Sequence, residues 1–132
     1  MNDDSRKALR AQGEKTRREV LGDKYVDAAM SKMNAFNGDM QHLLNEYCWG
    51  AGWGRPGLSR KERSMLNLAM LTALGKQHEV AVHVRGAKNN GLTDAEIAEV
   101  FLQAAIYCGV PAAVDSFRTA NQVLAEMAAE GK

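Results

Sequence analysis

Residues 59–75 read SRKERSMLNLAMLTALG, and this stretch decides the fold. Ser59 stands three residues before Glu62, the spacing at which a serine hydroxyl accepts one unsatisfied backbone N–H while the glutamate accepts another, so a helix starts here. Behind it Met65, Leu66, Leu68, Ala69, Met70 and Leu71 leave little polar circumference before the stop at Gly75, which predicts the central, buried helix of the core. The same grammar repeats outward. A helix from about Lys76 to Asn90 closes on Asn89-Asn90-Gly91, residues suited to a left-handed C-terminal cap. Thr93 and Glu96 form a second capping box ahead of Ile97, Val100, Phe101, Ala104, Ala105 and Tyr107, and that helix ends at Gly109. Pro111 opens a last helix where its missing N–H costs nothing.

Toward the N-terminus, residues 5–20 have helical composition but little apolar content, predicting a mostly solvated or partner-facing helix that ends near Gly22. From about Asp23 to Met33, Tyr25, Val26, Ala29, Met30 and Met33 recur at helical spacing as a core stripe. Residues 35–48 form a third helix with Phe36, Met40, Leu43, Leu44 and Tyr47 on one side. The segment Gly50 to Gly57 holds four glycines and a proline in eight residues, too many breakers for anything but a loop. The reading is all-α: a bundle of about six to seven helices in one domain over residues 1–132, with an N-terminal helical arm over about 1–22.

Composition narrows the function. At 132 residues one core, and so one site, is expected. With 17 basic against 16 acidic residues the chain lacks the basic excess that phosphate backbones require, so nucleic acid is not an expected partner. No run of about 18 apolar residues occurs and the first twenty residues are charged, which predicts a soluble, cytoplasmic protein without membrane association. Cys48 and Cys108 lie 60 positions apart, neither a disulfide framework nor a CxxC pair, and read as reduced, packed thiols.

His83 follows Glu79 by four residues inside a predicted helix, so both side chains leave one face about a turn apart. A carboxylate beside an imidazole fixes its tautomer and raises its pKa, as a general acid working near neutral pH requires; the plainer alternative is a surface or half-buried polar pair. His78 and His83 are one residue too far apart for HExxH and point roughly 140° apart around a helix, so no zinc site of that kind is expected. Arg55, Arg63 and Arg85 carry guanidinium groups shaped to hold a carboxylate, though arginines are as often solvated surface cations. Trp53, in the glycine-rich segment, either walls a pocket or anchors its loop.

Taken together, Trp49-Gly50, Trp53, Arg55-Pro56-Gly57-Leu58, Arg63 to Leu71, His78-Glu79, His83-Val84-Arg85-Gly86-Ala87, Asn89-Asn90-Gly91 and Gln103 to Ala113 resemble the carboxymuconolactone decarboxylase family in one register from near residue 15 to near residue 125. The resemblance implies an alkyl hydroperoxidase D-like helical bundle assembled as a homotrimer or homohexamer, with sites near subunit contacts. It also implies loss of carbon dioxide from 4-carboxymuconolactone, a lactone dicarboxylate, to give 3-oxoadipate enol-lactone in protocatechuate degradation. No metal or organic cofactor is implied. On that resemblance His83 and Glu79 are the catalytic candidates, and Arg55, Arg63, Arg85 and Trp53 the substrate-binding ones. In the alkyl hydroperoxidase D proteins of the same superfamily two cysteines precede the histidine; Lys76 and Glu79 stand there here, so thiol peroxidase chemistry lacks its nucleophile. Two alternatives stay open: a related enzyme acting on another lactone or unsaturated acid, and a non-catalytic helical oligomer.

Overall fold

A computed structural model describes residues 2–132; it is all-α, with no strand among the described residues. The chain divides into two compact units, Met1–Leu58 and Ser59–Lys132. In the first, α1 (Asp3–Leu21), α2 (Asp23–Ser31) and α3 (Gly38–Leu43) lead into a π-helix over Leu44–Gly52. The Asn2 side chain accepts the Ser5 N–H at 2.8 Å, and Asp3 and Asp4 complement the positive end of α1. Gly22 stops the helix at φ 90°, a conformation that side chains with a Cβ avoid.

Packing of α1 against the π-helix explains two glycines. A Cβ on Gly13 would collide with the Asn45 carbonyl, and one on Gly50 would sit 2.8 Å from the Leu9 carbonyl oxygen, so the two backbones approach only because both positions lack side chains. Arg17 is buried at the same contact, its Nη1 donating to Gln41 Oε1 at 2.9 Å and to Asn45 Oδ1 at 3.0 Å. The sequence therefore misleads twice. Most of α1 is solvated, as expected, but its face bearing Gly13, Thr16, Arg17, Val20 and Leu21 is buried, and a hydrophobic pattern passes over it because small and polar residues line much of it. Gly50 and Gly52 lie in the π-helix rather than a loop, so irregular chain begins only at Trp53, whose N–H reaches back to the Cys48 carbonyl at 2.9 Å.

In the second unit α4 (Arg60–Leu74), α5 (Gln77–Asn89), α6 (Asp94–Cys108) and α7 (Val110–Ala129) enclose a core that includes Leu68, Val80, Val84, Ile97, Phe101 and Val123. Both expected capping boxes form. Ser59 Oγ accepts the Glu62 N–H at 3.1 Å while Glu62 Oε1 accepts the Ser59 N–H at 2.8 Å, and Thr93 and Glu96 repeat the exchange. Gly75 ends α4 in the left-handed conformation, φ 70° and ψ 25°, and Pro111 lies in the first turn of α7.

The expected central helix is a different one. On α4 only Ser64, Leu68 and Thr72 are buried, a line one residue wide, whereas Leu66, Met70 and Leu74 are exposed. Within this unit α4 packs against α5, α6 and α7, and these contacts leave Leu66, Met70 and Leu74 exposed. The buried helix is α5, where Val80, Val82, His83, Val84, Gly86 and Ala87 are all inaccessible. Among the described residues no helix is long and apolar enough to cross a membrane.

Candidate active site

Because α5 is surrounded on most of its circumference, its side chains meet protein rather than water. His83, 7% exposed, sits midway along it, and burial alone pushes its imidazole down to about 4. This reverses the sequence expectation of a pKa raised by Glu79. Glu79 does lie a turn away and half-buried, but the loss of hydration around the ring outweighs any attraction by that carboxylate. At neutral pH the imidazole is therefore neutral, with one nitrogen a donor and the other an acceptor.

The arginines fall in three different settings. Arg85, two residues beyond His83, extends to α7, where Nη1 donates to Glu130 at 2.8 Å and Nη2 to Glu126 at 3.2 Å. Those two carboxylates raise its pKa further, so its charge is already balanced within the chain. Arg63 is half-buried in the first turns of α4. Arg55 and Trp53 belong to the first unit: Arg55 is exposed in the turn after the π-helix, and Trp53 is half-buried with its ring stacked on buried Trp49, 4.8 Å between centroids and 20° between planes. The stack anchors Trp53 whatever else its outer face does. Within the second unit Glu79 and His83 lie a turn apart on α5, and Arg85 turns toward Glu126 and Glu130.

An open apolar groove of about 490 Å³ lies between α4 and α6, lined by Met65, Leu66, Ala69, Val100 and Gln103 among others; His83 is not part of its wall. Among the described residues no three His, Cys, Asp or Glu side chains converge as metal ligands. Both cysteines, expected to be packed, are exposed.

A hydrophobic reading passes over the polar contacts that hold α5. Gln77, its first residue, donates from Nε2 to Ser116 Oγ at 3.1 Å and accepts from Thr119 Oγ1 at 2.6 Å, while Ser116 Oγ shares a 2.7 Å hydrogen bond with Thr72 Oγ1. Asn90, just past its last residue, donates from Nδ2 to Ser64 Oγ at 2.9 Å and to the Arg60 carbonyl at 3.3 Å. Ser64, Thr72 and Ser116 are all completely buried. Their sequence signal is a hydroxyl residue on an otherwise apolar helical stripe, as in Ser64-Leu68-Thr72.

With this geometry the chain compares closely with known proteins. A nitrosuccinic acid decarboxylase of Metarhizium robertsii is 38% identical over 131 residues, 99% of this chain and 92% of its own length. A 4-carboxymuconolactone decarboxylase of Acinetobacter baylyi is 39% identical over 127 residues, 96% and 92% of the two chains. A protein of the same name from Pseudomonas putida is 42% identical over 38 residues, 29% of this chain and 79% of its own length. The model of the carboxymuconolactone decarboxylase family matches residues 38–122, well over half of the sequence, and the chain belongs to that family.

Proposed function

We propose that this protein is a decarboxylase that converts 4-carboxymuconolactone to 3-oxoadipate enol-lactone in the protocatechuate branch of aromatic degradation, with His83 as the central catalytic group and Glu79 behind it. The observation that carries the reading is the neutral, buried imidazole at the middle of α5 in a chain that follows a 4-carboxymuconolactone decarboxylase over 96% of its length.

The chemistry asks little more of the protein. As the carbon–carboxylate bond breaks, its electron pair moves through the conjugated ring onto the lactone carbonyl oxygen, carbon dioxide leaves, and the dienolate then collapses as a ring carbon takes a proton that comes from solvent. The substrate is its own electron sink, the role that pyridoxal or thiamine plays for substrates lacking one. What the site supplies is orientation and a hydrogen bond aimed at the oxygen where charge gathers. A neutral imidazole N–H does this in dry surroundings without presenting a full positive charge that would hold the departing carboxylate in place. Arg63 and Arg85 are the candidates in the second unit for holding the retained carboxylate, and Arg85 is also paired with Glu126 and Glu130. Arg55 and Trp53 remain substrate-binding candidates, each to be tested by its own alanine variant.

Exposed apolar stripes on α4 and α6, including Leu66, Met70, Leu74, Leu102, Ile106 and Tyr107, support assembly of this cytoplasmic enzyme as a homotrimer or homohexamer. The nearly equal identity to a nitrosuccinic acid decarboxylase favours a second substrate reading. A nitro group, like a conjugated lactone, takes up the electron pair on oxygen. Carbon dioxide release from both acids, measured side by side on purified protein, separates the two. Faster turnover of the lactone supports the proposal, faster turnover of nitrosuccinate replaces its substrate, and no release from either overturns it.

A further inference from the structure

His83 lies six residues after Gln77 and seven before Asn90, and each of these amides is tied to a fully buried serine on a neighbouring helix. We propose that Gln77 and Asn90 are positioning residues, a two-ended clamp that sets the axial position and rotation of α5 and thereby places the His83 imidazole; the inference rests on His83 being the catalytic group.

Two features carry it. The two ties act at opposite ends of one rigid element and on different neighbours: Gln77 reaches Ser116 and Thr119 of α7, and Asn90 reaches Ser64 and the Arg60 carbonyl of α4. A helix held at both ends neither slides nor turns, whereas the valines and alanines packed along its length are interchangeable enough to tolerate either motion. Further, Lys76 at the N-terminus of α5 makes no side-chain cap, so Gln77 is a polar anchor of that end.

Stability alone does not call for this arrangement. Buried hydroxyls are costly unless bonded, and a bonded pair replaced on both sides by apolar groups of similar shape is close to neutral. A buried polar network that is fully satisfied instead selects one packing among several similar ones. Displacement of a reacting group by about 1 Å can lower turnover by about 10²-fold. The clamp is therefore expected to act on kcat and to leave ground-state binding nearly untouched.

The test uses the full-length protein with Gln77→Ala, Asn90→Ala and the milder Ser116→Ala and Ser64→Ala, each checked for native helicity by circular dichroism. On the lactone the proposal expects kcat to fall at least about tenfold in the alanine variants at Gln77 and Asn90, with KM changed less than about twofold, and a larger fall in the double variant. In parallel, the ring 15N resonances of His83 are expected to move in each variant while those of exposed His78 stay in place. Unchanged kcat together with unmoved His83 resonances in folded variants overturns the clamp. If wild-type protein releases no carbon dioxide, the functional reading fails, and the His83 resonances alone then decide whether the clamp exists.

Discussion

At the scale of single residues, the decisive feature is that His83 is neutral because it is dry. Its pKa falls from 6.5 in the unfolded chain to about 4 in the folded one. Protons therefore bind the unfolded state preferentially between those values, so the contribution to stability is whole above pH 6.5 and is lost as pH falls through 4. The shift corresponds to on the order of 3 kcal/mol. Urea unfolding of wild type and His83→Gln at pH 7 and pH 4 is expected to show a loss larger by roughly that amount in wild type; equal losses would mean that the imidazole is hydrated. That Glu79 and His83 share one helix, a turn apart, was legible in the helical composition and four-residue spacing. The direction of the pKa shift was not, since it depends on how many neighbouring helices exclude water from the ring. Arg85 was equally opaque: its partners Glu126 and Glu130 lie more than 40 positions away.

At the scale of elements, local chemistry and neighbours divide the work. Capping boxes are local, and both were legible from four residues each, Ser59 with Glu62 and Thr93 with Glu96. Ser59→Ala and Thr93→Ala are each expected to cost about 1 kcal/mol, and the double variant about 2 kcal/mol because the helix starts act independently. Thermal denaturation checks this, and a cost near zero in either would show that its helix end is held by tertiary contacts instead. Where elements depend on partners, the sequence spoke less clearly. Leu44 to Gly52 forms a π-helix in which Gly50 serves close packing against Leu9 rather than chain reversal. Apolar richness made α4 look central, yet burial went to α5, whose mixture of Gln, His, Glu and Arg with valine disguises it.

At the scale of the whole molecule, several large apolar side chains stand exposed. Ile106 and Tyr107 on α6 are 79% and 81% exposed, and Phe36 ahead of α3 is 96% exposed. Exposed apolar patches mark association sites. Sedimentation at micromolar concentration is expected to give three or six times 14.4 kDa, falling toward one copy in Ile106→Asp; a monomeric wild type would remove the assembled enzyme from the account. Whether His83 carries the decarboxylation is decided by carbon dioxide release from freshly generated 4-carboxymuconolactone by wild type and a folded His83→Ala variant. Rapid release by the first and a loss of at least about 10²-fold in the second are expected. Equal release by both proteins would contradict that role of His83.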